Sequence, residues 1–360
     1  MTDIKDNSIA RTAGNPMVLH NVTLIRPILI ILLVFYHAFA PFSGAWEPIS
    51  GYPDIPVYWW LDKTSYAFML ETFVFISGFV FGFQVRIKGE SKLNAKNLFW
   101  NKFKRLFIPS IVFSLLYLLL FQRNYTSIIE GTYNVVNGVA HMWFLPMLFW
   151  CFVLVWVIEK LRIPTRFNVC LFGIMAFLPI PSLPLQLSKT FYYFIFFLVG
   201  YLIQRKSIDL TRFYTRKYAI ISVLLFFVLF PTLTILSSRN VLIGGGNSRL
   251  VTVVVSTIYI RFCQILYSSV GLMMVLINIG YLLKKNVDQI PSWISSIGAL
   301  CMGVYLMQQF ILMALYYHTN LPVYTDTYLL PWVGFIITLL SSLLFSWILH
   351  KTRWGRFLIG

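Results

Sequence analysis

The sequence predicts an all-α membrane protein, a polytopic helical bundle of about ten transmembrane helices with both termini in the cytoplasm. Its 360 residues are 58% hydrophobic and only 11% charged, whereas a soluble domain carries about 25% charged residues. The mean hydropathy is +0.75. Apolar runs long enough to cross a bilayer recur along the whole chain, which excludes a soluble globular protein.

Ten apolar segments define the predicted spans. Two of them, the fifth and the sixth, are short and could be tilted, re-entrant or enclosed by the bundle. The stretch 249–283 is too long for one simple span, so its first part is an interfacial helix or the span begins earlier. In chain order the segments lie near residues 24–41, 66–85, 106–121, 141–158, 168–182, 190–203, 218–237, 262–283, 294–316 and 329–350.

The distribution of positive charge predicts the topology. With the N-terminus placed in the cytoplasm, most of the 29 Lys and Arg residues fall in cytoplasmic segments. This bias is the one expected of short cytoplasmic loops, and it supports an even number of spans. Five basic residues remain in the outside loops: Lys63, Arg123, Lys189, Arg239 and Arg249.

The chain reads as one membrane domain with short polar ends. We divide it into a cytoplasmic leader (1–22), a transmembrane domain (23–350) and a short basic cytoplasmic tail (351–360). The net charge of +17 is explained by topology and by contact with anionic lipid, so we expect no nucleic-acid partner. The four cysteines lack metal-type spacing, and we predict no metal site.

The first span carries two ionisable residues on one face. In LIRPILIILLVFYHAFAPF, ten residues separate Arg26 from His37. Eleven helical steps bring the second residue to within about 20° of the first and about 16 Å along the axis. Ionisable groups inside a span usually face a protein interior or a water-filled cavity. The pair predicts a polar path from the Arg26 end, although a packed histidine and a snorkelling arginine would fit equally well.

The second span contains an acid in an apolar segment, ETFVFISGF (71–79). The carboxylate of Glu71 could orient His37 or hold Arg26, or it could form a purely structural ion pair. Ser77 is a candidate substrate contact. Gly78 is expected to permit close helix packing rather than chemistry.

A loop rich in basic residues precedes the third span. Its first half is best explained as a topology signal, but Lys102, Lys104 and Arg105 directly adjoin the span. These three could bind the phosphates of a cytosolic ligand at the mouth of the Arg26 path.

Polar residues recur in two later spans. The fourth opens with HMWFLPMLF, in which His141 and Trp143 could bind a polar acceptor or serve as interfacial residues. In the ninth span, Gln308 and Gln309 are expected to form interhelical hydrogen bonds.

These residues together resemble the acyltransferase-3 family of bacterial integral-membrane acyltransferases. The spacing of Arg26 and His37 matches the family, and so do four further blocks in the expected order. Val74 replaces a common phenylalanine, and a glutamine replaces a frequent late histidine. Compared with the family pattern, the basic pair before Pro109 is compressed to the adjacent residues Lys104 and Arg105. The further blocks are ETFVFISGF (71–79), KRLFIP (104–109), HMWFLPML (141–148) and SSIGALCMGVYLMQQF (295–310).

The resemblance implies a multi-pass enzyme of the bacterial inner membrane. Such an enzyme moves an acyl group, acetyl being expected, from cytosolic acyl-CoA to a hydroxyl of a cell-envelope or exported polysaccharide or of its lipid-linked precursor. His37, Arg26 and Glu71 would then be catalytic. The expected donor-binding residues are Lys102, Lys104 and Arg105, and the expected acceptor-binding residues are Ser77, His141 and Trp143.

A transporter or flippase of a lipid-linked saccharide could use the same polar path without acyl chemistry. It would alternate its opening between the two sides and would have no acyl-CoA site. Release of free CoA from a thioester distinguishes the two classes, because only the acyltransferase predicts it.

Overall fold

A computed structural model describes residues 17–49, 51–53, 55–121, 127–238, 249–285 and 291–359. Regular structure in these ranges is helical throughout, so the predicted all-α bundle is confirmed. Residues 1–16 of the predicted leader, together with Arg123 and Arg239 of the outside loops, lie outside the described residues.

Fifteen α-helices make up the described part of the chain, joined by short 3₁₀ turns. They are α1 Met17–Phe39, α2 Pro56–Tyr66, α3 Met69–Lys88, α4 Ala95–Lys102, α5 Ile108–Phe121, α6 Ile128–Asn137, α7 Phe144–Lys160, α8 Thr165–Phe177, α9 Leu187–Arg205, α10 Arg216–Ser238, α11 Arg249–Lys285, α12 Ser292–Tyr317, α13 Leu321–Tyr324, α14 Leu330–Lys351 and α15 Arg353–Ile359.

Nine helical stretches in the described part are long and apolar enough to cross a membrane. They coincide with nine of the ten predicted spans. The remaining one, the fifth predicted span near 168–182, corresponds to α8, whose 13 residues extend only about 20 Å. The eighth span begins earlier than predicted, because α11 is one helix of 37 residues.

Contacts of Glu159 near the end of α7 and of Asn137 at the end of α6 show that the chain still crosses the bundle between α7 and α9. At one end, Glu159 accepts a hydrogen bond of 2.7 Å from the Tyr201 hydroxyl of α9. At the other end, the Asn137 side-chain oxygen accepts a bond of 2.6 Å from the backbone N–H of Leu185. The segment that contains α8 therefore returns from the Glu159 level to the Asn137 level, partly as a helix and partly as an extended chain.

Arg261 of α11 stabilises the break at the end of α8. Its guanidinium donates hydrogen bonds to the carbonyl oxygens of Ala176 and Leu178. Carbonyls at a helix end have no partner within the helix, and unpaired backbone groups are costly at membrane depth. The arginine therefore makes a helix break tolerable within the bundle.

The tightest helix pair is α3 against α9. A Cβ atom at Gly78 would overlap the backbone carbonyl of Phe197, and one at Gly82 would overlap that of Tyr201. Small residues four apart let two membrane helices approach closely, since packing rather than the hydrophobic effect holds them together. The expected packing role of Gly78 is confirmed.

The C-terminal helix α15 is not a free tail. Ile359 is buried and lines a cavity between α1 and α3. Residues 351–359 of the predicted basic tail thus fold back onto the bundle, on the side where the Arg26 end of α1 lies. The basic residues of this segment gave no signal of the docking, because its buried residues are only Gly355 and Ile359.

Candidate functional site

Three cavities follow one another through the bundle. The basic vestibule has a volume of about 430 Å³ and is bounded by Lys92, Asn97, Lys102 and Arg105. The central cavity, of about 420 Å³, contains Arg26 and shares Lys102 and Arg105 with the vestibule. The histidine chamber, of about 350 Å³, contains His37 and His141 and shares four side chains with the central cavity. Those four are Leu33, Leu70, Phe144 and Tyr305.

A π-helical turn, Phe103–Phe107, sets the wall of the basic vestibule. Pro109 has no N–H, so it cannot continue the regular bonding pattern back to Arg105. The backbone N–H of Ile108 instead bonds the carbonyl of Phe103, five residues back. Such π turns are often found at functional sites, because they change the direction of the side chains around them.

The three basic residues before the third span do not share one environment. Lys102 lines both the vestibule and the central cavity, and its Nζ lies 3.6 Å from the centroid of the Phe152 ring. Arg105 lines the same two cavities and is exposed. Lys104 instead lies against the exposed Trp100, 5.4 Å from its ring centroid, and lines neither cavity. The structure therefore brings two of the three predicted donor-binding residues to the path.

Arg26 lies in the middle of the path. It lines the central cavity beside Cys301, and no carboxylate in the described residues forms an ion pair with it. Its helix presents Ile30 and Leu33 to the same cavity, and Leu33 also reaches the histidine chamber. One stripe of α1 thus runs from Arg26 to His37, as the spacing predicts. An accessible guanidinium without a counter-ion suits an anionic ligand.

His37 forms part of the wall of the histidine chamber. The residue is buried, and its ring stacks on Trp46 at a centroid distance of 5.6 Å. Its Nδ1 atom has no hydrogen-bond partner in the described part of the chain. The fully buried Gln308 adjoins the ring from α12. An imidazole whose Nδ1 has no described partner can accept or donate a proton.

A strained turn presents His141 to the same chamber. Gly138 has φ +83° and a Cβ there would overlap the backbone of Met142, while Ala140 is also left-handed, with φ 52°. Two buried serines of α5 hold the turn: Ser114 accepts from the N–H of Val139, and Ser110 donates to Met142. Left-handed residues other than glycine are uncommon and cluster at functional sites.

The ring of His141 faces that of His37 across the chamber. The two ring centroids are 6.1 Å apart with planes at 62°. His141 Nδ1 bonds the side-chain oxygen of Gln309, and the Tyr305 hydroxyl donates to the His141 backbone carbonyl. His141 Nε2 is buried without a hydrogen-bond partner in the described residues.

Glu71 bonds a tyrosine of α9. Its carboxylate accepts a hydrogen bond of 3.2 Å from the Tyr192 hydroxyl of α9. It does not line any of the three cavities. In the described part of the chain Glu71 thus joins α3 to α9 and forms no ion pair with Arg26, and its catalytic role stays a prediction.

The remaining predicted acceptor contacts divide between two cavities. Trp143 lines the histidine chamber, and Lys189 Nζ lies 3.9 Å from its ring centroid. Ser77 lines the central cavity, but its hydroxyl donates back to the Phe73 carbonyl within α3. Trp143 therefore shares a chamber with the two histidines, whereas Ser77 lies closer to Arg26.

Sequence reasoning missed the two residues that bond His141. Tyr305 was not singled out, and Gln309 was expected only to join helices. The available signal was a pair of amides inside the ninth span with a tyrosine one turn before them. The described residues contain no group of three His, Cys, Asp or Glu side chains placed to hold a metal ion.

Comparison with protein families gives one match. A family model described as an acyltransferase domain matches residues 19–351, which is nearly the whole chain. Comparisons with curated proteins and with solved structures give no match. The matched range includes every predicted site residue and nearly all residues that line the three cavities. Ile359 of α15, which lines the central cavity, lies beyond it.

Proposed function

The chain belongs to the acyltransferase family whose model it matches, and from that premise we propose that this multi-pass membrane acyltransferase is an O-acyltransferase. It moves an acyl group, acetyl in the first instance, from cytosolic acyl-CoA to a hydroxyl. The acceptor is a cell-envelope or exported polysaccharide or its lipid-linked precursor. The enzyme belongs in the bacterial inner membrane, with the basic vestibule facing the cytoplasm, as the distribution of Lys and Arg favours.

The succession of cavities is the observation that carries the proposal. Phosphates need a basic, accessible mouth, and the vestibule offers Lys102 and Arg105. A reacting thioester develops negative charge, and Arg26 lies further along the path with no carboxylate partner among the described residues. Acyl transfer to a hydroxyl needs an acid–base group, and His37 lines the chamber beyond it. The order of these groups along the path is the order in which a CoA thioester entering from the basic end would meet them.

Each group has a physical role in transfer. Arg105 and Lys102 bind donor phosphates through charge-assisted hydrogen bonds. Arg26 stabilises the charge that forms on the thioester oxygen, because a fixed donor in a low-dielectric site acts strongly on a developing oxyanion. His37 moves the proton between the acceptor hydroxyl and the CoA sulfur. A direct transfer and a route through an acylated enzyme both use these groups.

The aromatic lining of the histidine chamber supports a sugar as the acceptor. Trp46, Trp143, Tyr36, Tyr66 and Tyr117 all contribute to its wall. Aromatic side chains combine a large apolar face with a polar edge, so they can contact both the ring hydrogens and the hydroxyls of a sugar. A flippase would need no basic site for CoA, and the vestibule therefore favours the enzyme.

The purified protein in nanodiscs tests the proposal. We expect release of free CoA from acetyl-CoA, stimulated by an envelope glycan or its lipid-linked precursor. Mass spectrometry of the envelope glycans from a deletion strain should show the loss of one acyl mass increment per modified sugar, which names the acyl group directly. A deletion strain with unchanged glycan acylation, together with no CoA release from acetyl-, propionyl- or butyryl-CoA, would favour the flippase.

A further inference from the structure

We propose that His141 is a second acid–base residue of the histidine chamber and that Gln309 is its positioning residue, which fixes the imidazole in one tautomer. The acid–base role of His141 rests on the proposed acyl transfer. The tautomer of its ring does not depend on any activity. His37 remains the partner on the facing wall, 6.1 Å away between ring centroids.

The backbone decides which atom of Gln309 is the acceptor. An amide oxygen and nitrogen are hard to distinguish by shape, so their assignment must come from the hydrogen-bond network. The backbone N–H of His141 can only donate, and it points at the Gln309 side chain with an N···O distance of 3.1 Å. The atom that receives it must be the carbonyl oxygen, Oε1.

The same oxygen then determines the state of the histidine ring. His141 Nδ1 lies in hydrogen-bond contact with that Oε1. An amide oxygen has no proton to give, so Nδ1 must carry the proton of the pair. In the neutral imidazole the other nitrogen, Nε2, is therefore an unprotonated acceptor. This atom is buried without a partner in the described part of the chain.

The surroundings hold the ring in this orientation. The Tyr305 hydroxyl donates to the His141 backbone carbonyl, and its ring meets the imidazole edge to face at 5.1 Å. Ser110 holds the carbonyl of the next residue, Met142, at 3.3 Å. Locked neighbours on both α5 and α12 leave the Nε2 lone pair as the part of the ring without a hydrogen-bond partner in the described residues, in a side chain that lines the chamber.

Such a lone pair can take the proton of an acceptor hydroxyl. As the hydroxyl oxygen bonds the acyl carbon, its proton moves to His141 Nε2 and the carbon–sulfur bond of the thioester breaks. The proton then passes through His37 to the departing CoA sulfur. One O–C bond forms, one C–S bond breaks and one proton is relocated, so the step needs no further reactant.

Nitrogen NMR tests the tautomer without reference to activity. The wild-type protein in nanodiscs is labelled with ¹⁵N-histidine, and His141 is assigned from the signal lost in His141→Asn. We expect a protonated Nδ1 and an unprotonated Nε2. A signal in which Nε2 carries the proton would overturn the inference even if the protein transfers acyl groups normally.

The pH dependence of acyl transfer tests the acid–base role of His141. Gln309→Glu keeps an oxygen acceptor for the His141 backbone N–H but adds a negative charge beside the ring. An opposite charge at this range favours the protonated imidazole by about 1–3 pH units. A base must be unprotonated to act, so the acidic limb of the pH–rate profile should move to higher pH by about that amount. An unmoved limb in an active variant would remove His141 from the acid–base chemistry.

Gln309→Leu separates positioning from donor binding. Without an acceptor for Nδ1, the ring is free to turn and to change tautomer, so transfer should fall about 10- to 100-fold while the KM for acyl-CoA stays within twofold. Normal transfer by this variant would contradict the positioning role. If it does not fold, Gln309→Glu decides. If the wild-type protein releases no CoA, the proposed function fails and the NMR result still tests the tautomer.

Discussion

Removing the charge of Lys102 should weaken donor binding. Variants of two neighbouring basic residues provide the comparison. Lys102→Met removes the ammonium group but keeps an apolar stem against the Phe152 ring, where Nζ now lies 3.6 Å from the centroid. Arg105→Ala removes the other cation that the vestibule shares with the central cavity. Lys104→Ala removes an equal charge two residues away that lines neither the vestibule nor the central cavity.

The expected magnitudes follow from burial. A hydrogen bond to a charged group contributes about 1.5–3 kcal/mol, and every 1.4 kcal/mol is about tenfold. Lys102 is half-buried, so its loss should raise the KM for acyl-CoA about 10- to 100-fold. Arg105 is exposed, and an exposed ion pair contributes about 0.2–1 kcal/mol, which is at most about fivefold. Lys104→Ala should stay within about twofold of wild type.

Both effects should appear in KM rather than kcat. The vestibule is separated from the histidine chamber by the central cavity, so its contacts with the donor change little between ground state and transition state. The salt dependence of the KM effect should also distinguish the two residues. The exposed Arg105 is screened within about 8 Å at physiological ionic strength, so its effect should fade as salt rises, whereas that of Lys102 should persist.

The assay is steady-state release of CoA in nanodiscs, with acyl-CoA varied at two salt concentrations. Melting temperatures verify that each variant is folded. If Lys102→Met gives the same KM as Lys104→Ala, the donor phosphates bind elsewhere and the basic loop is only a topology signal. A loss confined to kcat would also refute the reasoning, because it would place Lys102 near the reacting atoms.

Three further predictions address the path and the bundle. His37→Ala should lower kcat about 10²–10⁴-fold with donor KM retained, and near-normal glycan acylation would remove His37 from the mechanism. Arg26→Lys should be almost as damaging as Arg26→Ala, because lysine lacks the planar fork; a fully active lysine variant would make Arg26 a mere interfacial charge. Gly78→Ala should destabilise the protein by about 1–3 kcal/mol by thermal melting. Gly173→Ala, which adds its Cβ to open space, should not, and equal melting temperatures would contradict the close-packing argument.

The sequence alone determined the fold class, because a bilayer makes composition a strong constraint. Spans of apolar residues and basic loops follow from the cost of burying charge in lipid, a property of each segment by itself. The shared face of Arg26 and His37 was also predictable, since both lie on one helix and helical geometry fixes their relative direction. The ordered motifs then indicated the acyltransferase family.

Only the tertiary structure decided which polar residues meet. Glu71 and His141 looked alike in sequence, as single polar residues in apolar segments, yet one bonds Tyr192 and the other enters the chamber of His37. Gln309 lies 168 residues from His141 in the chain. Helix rotation and packing set such contacts, and these depend on all neighbouring helices at once rather than on the residues of one span.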